Sequence, residues 1–62
     1  MGAKLEKAYQ IANDKKGATG RNRLAILTKI PSNKAGSEAD SPENIKKFED
    51  ALKEITGESI NL

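Results

Sequence analysis

The stretch from Ser41 to Gly57 constrains this chain most, because a helix start, an apolar stripe and a helix stop agree there. The Ser41 hydroxyl can accept a bond from an amide that the first turn leaves without a partner. Pro42 follows at the first helical position, where a missing N–H costs nothing and a fixed φ suits the turn. Glu43 sets negative charge against the positive end of the helix dipole, and Lys53 lies near the other end. Ile45, Phe48, Leu52 and Ile55 recur at steps of three, four and three, so they share one face with Ala51 on its edge. Gly57 suits the left-handed residue that closes a helix. The spacing therefore predicts a helix over 42–56, and the rest of the chain is expected to cover its stripe.

Two more helices are expected ahead of it. Over 3–16, Leu5, Ala8, Tyr9, Ile11 and Ala12 fall in one arc, Lys15 and Lys16 suit the negative end of the dipole, and Gly17 suits the stop. Tyr9 has two readings, a core side chain or a stacking platform for a base, and the apolar arc favours the core. Gly17 to Gly20 reads as a turn, with Thr19 as the next cap. It lacks the Gly-Lys-Ser/Thr ending of a phosphate loop. Residues 20–29 support either of two periods. As a helix they group Leu24, Ile26, Leu27 and Ile30 in one arc that also contains Arg23. As a strand, Leu24, Ile26, Thr28 and Ile30 alternate with Ala25, Leu27 and Lys29. A strand has only the 59–62 tail as a partner, and two short strands make a poor sheet, so the helix is preferred. Pro31 disfavours helical geometry at Ile30 and ends the element near Lys29.

The expected fold is thus all-α, a small three-helix bundle over 3–16, 20–29 and 42–56, with a mobile loop at 31–41 that reads as a plain connector with room for a single turn starting near Ser32. A short strand at 24–30 in an α+β fold is the alternative. All 62 residues read as one domain, and Met1-Gly2 leaves room for a piece of a longer protein. Two apolar residues near the end, Ile60 and Leu62, have three readings: a return over the helices, pairing with another chain, or the start of a further element.

Composition narrows the chemistry. There is no cysteine and no histidine, which removes disulfides, thiolate zinc sites, the usual general base and the usual imidazole ligand. No apolar run approaches the ~20 residues of a membrane span. A cytoplasmic protein with no cofactor and no evident small-molecule substrate is expected. Carboxylates such as Glu49, Asp50 and Glu54 stand among lysines, where i,i+4 contacts like Glu43–Lys47 and Glu49–Lys53 are expected of an exposed helix face. The serines lack a histidine to activate them, so no enzyme is expected.

Charge is uneven. Residues 15–34 hold Lys15, Lys16, Arg21, Arg23, Lys29 and Lys34 with no acid, whereas residues 35–62 hold seven acids against three lysines. One reading is attraction between the two halves of a single fold. The other makes those six cations contacts for a polyanion or an acidic partner. The run from Arg23 to Ser32 resembles the first half of a helix-turn-helix motif, where a Leu-Ala pair precedes a tight turn, although Lys29 stands where that turn usually has glycine. The resemblance implies nucleic-acid binding through a second helix over 32–40, yet that stretch carries Gly36, Glu38 and Asp40, two acids where phosphates would approach. A non-enzymatic protein-interaction or regulatory module, contacting a protein partner or a second copy, is the preferred expectation.

Overall fold

The computed structural model describes residues 2–62 and shows a small all-α bundle. The elements are α1 (Ala3–Thr28), α2 (Ser32–Ala35) and α3 (Pro42–Thr56), with no strand among the described residues. Residues 24–28 are helical, so the strand alternative for 24–30 is corrected. The cause is that a strand there would have had no sheet to join.

α1 is bent rather than straight. Gly17 has φ 64° and ψ −150°, a region essentially restricted to glycine, and it splits α1 into a first arm (3–16) and a second arm (18–28). These arms are the two helices expected over 3–16 and 20–29, but the expected four-residue turn is a single residue. Thr19 is already inside the helix and caps nothing. The fold-back is tight: a Cβ on Gly20 would lie 2.7 Å from both the Ala12 carbonyl oxygen and the Lys16 Cβ. Small residues at the corner therefore let the arms approach, and Gly20, Leu24 and Thr28 face Leu5, Ala8, Tyr9 and Ala12 across it.

α3 begins and ends as the spacing predicts. The Asn44 amide donates to the Ser41 hydroxyl at 3.2 Å, Pro42 opens the first turn, and Gly57 closes the helix at φ 77°. Phe48, Ala51 and Leu52 are buried, with Ile45 and Ile55 half-buried on either side. Its partner is chiefly α1. The Phe48 and Tyr9 rings meet edge-to-face at 5.9 Å, a geometry that aligns the ring edge of one with the π-face of the other.

The 31–41 stretch is not a plain connector, and the single turn starting near Ser32 that the sequence allows does form. It contains the single turn α2, whose Ala35 is buried in the core, and it is tied to the start of α1. The Gly2 amide donates to the Gly36 carbonyl at 3.1 Å, and the Lys4 amide donates to Asp40 Oδ2 at 3.3 Å. Asp40 thus serves one of the orphan donors of α1, whose own N-cap, Gly2, has no side chain to do so. The 58–62 tail returns over the helices: Ile60 and Leu62 pack against the core, and the Leu62 amide donates to Glu49 Oε2 at 2.8 Å.

These ties set the topology. Asp40 and Gly36 meet the beginning of α1, while Lys15 reaches Glu58 just beyond α3. α3 therefore runs in the same direction as the first arm, and the second arm returns antiparallel to both.

Candidate interaction surface

The six cations named from the sequence are all exposed, and the fold separates them. Lys15 and Lys16 end the first arm at the Gly17 corner, and Arg21 sits one turn beyond it. Lys29 and Lys34 lie past the far end of the second arm, roughly 18 Å from the corner at 1.5 Å per residue. Arg23 projects from the outer face between these ends, so the charges are spread along a molecule 25 Å in its longest dimension. Lys15 pairs with Glu58 at 3.1 Å, the one ion pair among the described residues. Attraction between the two halves thus accounts for one of the six cations. The i,i+4 pairs expected on α3 do not close: Glu49 turns instead to the Leu62 amide, a tertiary contact that spacing along one helix cannot reveal.

Lys29 adopts φ 62°, the left-handed residue that closes the second arm, and its amide donates to the Ala25 carbonyl at 2.8 Å. Its place is set by Pro31, which forbids another helical turn. The backbone there is tied by Thr28, whose hydroxyl donates to the Leu24 carbonyl at 2.6 Å and accepts from the Ile30 amide at 3.3 Å. The Tyr9 hydroxyl donates to the Ile30 carbonyl. Burial raises the Tyr9 phenol above its ordinary value of 10.0, with the Thr28 hydroxyl acting the other way. Tyr9 is therefore a core side chain, not a stacking platform.

Two surface hollows flank the second arm. A polar cleft of about 480 Å³ lies between Arg21 and the outer side of the first arm, with Glu6, Lys7, Gln10 and Asn13 along it. A groove of about 350 Å³ lies between the second arm and α3, with Leu27 on one wall and Lys47, Asp50, Ala51 and Glu54 on the other. Above that groove the expected arc fails. Leu24 is buried, but Ile26 is 72% exposed and Leu27 45% exposed. The cause is geometric: the buried row of this arm is Gly20, Leu24 and Thr28, every fourth residue, and Ile26 points away from it. The same rotation carries Arg23 out of the core, since it lies one turn before Leu27 on the outer flank. Ile26 and Leu27 are the exposed large apolar side chains of the described residues; Leu27 lines the groove, and Ile26 points outward from the neighbouring position. Sequence reasoning placed both in the core, because a four-residue apolar cluster on a short helix looks the same whichever of its members faces inward.

No group of three or more His, Cys, Asp or Glu among the described residues is placed to hold a metal ion. No helix of the described residues is long and apolar enough to cross a membrane. Compared with protein-family models, with curated proteins and with solved structures, the chain gives no match.

Proposed function

We propose that this chain is a non-enzymatic protein-interaction module whose contact face is the outer side of the second arm together with the adjoining α3 groove. The observation that carries the reading is the placement of Ile26 and Leu27 outside a core that buries or half-buries every other large apolar side chain of residues 2–62. Leaving an isoleucine in water forgoes roughly 1.5–3 kcal/mol of burial, a large sum for a domain of this size. A partner that covers it recovers that free energy. Arg23, Asp50 and Glu54 rim the apolar centre with charge, as the polar rim of an interface does. A cytoplasmic location belongs to the same proposal.

Nucleic-acid binding through the six cations is the second reading. It has exposed positive charge in its favour, but α2 supplies one turn where a recognition helix is needed, and its Ala35 is spent on the core. The two readings part in one experiment. Quantitative capture from a native lysate is run with the parent and with Ile26→Asp, alongside titration of generic duplex DNA at two salt concentrations. The interaction reading predicts proteins retained by the parent and lost by Ile26→Asp, with DNA bound more weakly than about 10⁻⁴ M at physiological salt. Micromolar DNA binding that falls steeply with salt and is lost on Arg21→Ala with Lys29→Ala would replace it with the second reading.

A further inference from the structure

We infer that the partner for this face is a second copy of the chain, bound so that Ile26 of each copy enters the groove of the other. The inference rests on the interaction reading above and names its occupant. Three observations point to self-recognition.

The face carries both halves of a complementary contact. It offers a protruding apolar side chain, Ile26, and the next residue, Leu27, forms one wall of a groove whose other wall includes Ala51. A copy related by a two-fold axis satisfies both at once, with its knob in this hole and this knob in its hole.

Its charges are complementary in the same sense. Arg23 stands one turn from Ile26 and Leu27 on the second arm, and Asp50 and Glu54 stand one turn apart on the α3 wall. None of the three has an ion-pair partner within its own chain among the described residues. An association that brings Arg23 of one copy to the acids of the other supplies both with a partner.

The order of charge along the groove sets the orientation. Lys47 lies at one end, and Asp50 and Glu54 lie toward the other. The second arm runs antiparallel to α3, so Arg23 lies toward the Glu54 end of its own molecule. A copy whose second arm runs parallel to the first copy's second arm keeps Arg23 at the Glu54 end. An antiparallel copy would set Arg23 beside Lys47. The two-fold axis therefore runs along the helices, between the two second arms.

A contact centred on one apolar anchor per copy belongs with the small interfaces, below the ~800 Å² per partner of a standard one, so a weak and concentration-dependent association is expected. Sedimentation velocity of the full chain from about 10 µM to about 1 mM, a range that spans weak complexes, reads it directly. The expected result is a shift from monomer to dimer across that range. Ile26→Asp should raise the dissociation constant by at least about thirtyfold, as loss of a central apolar anchor does, with helical circular dichroism and melting temperature kept. Arg23→Glu should weaken the dimer about tenfold, and the pairing Arg23→Glu with Glu54→Arg should return it to within about threefold of the parent. A parent that stays monomeric to the top of the range overturns the second copy as partner and leaves the interaction reading to its own capture test. A dimer indifferent to both Ile26→Asp and Arg23→Glu overturns this face as the contact.

Discussion

α3 and the second arm of α1 both end on a left-handed residue, Gly57 at φ 77° and Lys29 at φ 62°, yet they use their apolar residues differently. α3 buries Phe48, Ala51 and Leu52, packs Ile55 against the core and keeps Ile45 half-covered, so no large apolar side chain of its stripe is left exposed. The second arm buries Gly20, Leu24 and Thr28 and turns Ile26 and Leu27 outward. α3 is autonomous in its signals: cap, stripe, dipole charges and stop all lie within it. The second arm has a stop at Lys29 and Pro31 but no capping side chain at Gly17 and no basic residue in its last turn, and it takes its orientation from the bend at Gly17 and the close approach at Gly20. A helix specified by its own sequence presents one apolar face, and a helix placed by a hinge can leave apolar residues over for a partner.

The largest test of this contrast is a pair of truncations. Phe48→Ala should cost about 3–5 kcal/mol, enough to abolish cooperative thermal unfolding by circular dichroism. Ile26→Ala should stay within about 0.5 kcal/mol, as surface substitutions do. Equal losses would mean that both helices feed the core alike.

The hinge supplies the next test. Gly17→Ala should destabilise by about 1–3 kcal/mol through backbone strain alone, since open space surrounds the new methyl group. Asparagine should not rescue that position, because ψ −150° lies outside the left-handed helical region asparagine tolerates. At Gly57, with ψ 5°, asparagine should be tolerated better than alanine. Chemical denaturation of the four variants measures both contrasts, and rescue by Asn at Gly17 would remove the sharp bend.

Tyr9 joins the two regions, touching Phe48 with its ring and the end of the second arm with its hydroxyl. Tyr9→Phe should cost about 1 kcal/mol for the hydrogen bond to Ile30. Because burial raises the native phenol, its stabilising contribution is present below pH 10.0, the ordinary value, and is lost as pH rises through the higher native value. Melting temperatures of the parent should therefore fall more steeply above that pH than those of Tyr9→Phe. Parallel curves would show that the phenol ionises without resistance.

The two caps give the smallest effects. Ser41→Ala should lose about 1 kcal/mol, and Lys29→Gly should gain about 0.5–1 kcal/mol by placing glycine at a left-handed stop. Lys15→Ala, which deletes the exposed pair with Glu58, should change stability by no more than about 0.2–1 kcal/mol, and less at high salt. A loss on Lys29→Gly would mean that the second arm does not end where Thr28 and Pro31 place its end.

What was legible in the sequence follows the same division. α3 was readable to the residue, because each of its signals acts within one turn of itself. The first arm and the helical state of the second were readable from periodicity. The sharp bend was visible only as a glycine, since φ and ψ at Gly17 depend on the packing of Gly20 against Ala12. The direction of the second arm was not readable: Leu24 and Ile26 differ by two residues and by nothing in hydrophobicity. The tie of Asp40 to Lys4 and that of Glu49 to Leu62 join residues far apart in the chain, and no local pattern encodes them. The six cations were correctly found as exposed, but their separation along the molecule required the topology.

Solvent paramagnetic relaxation of methyl groups tests the central contrast most directly. With a soluble gadolinium chelate at the lowest workable protein concentration, the Ile26 and Leu27 methyls should broaden strongly while those of Leu5, Leu24 and Leu52 are spared. Raising the protein concentration should then protect Ile26 and Leu27 and leave Leu5, Leu24 and Leu52 unchanged. An Ile26 methyl as protected as Leu24 at low concentration would place it in the core and contradict the account.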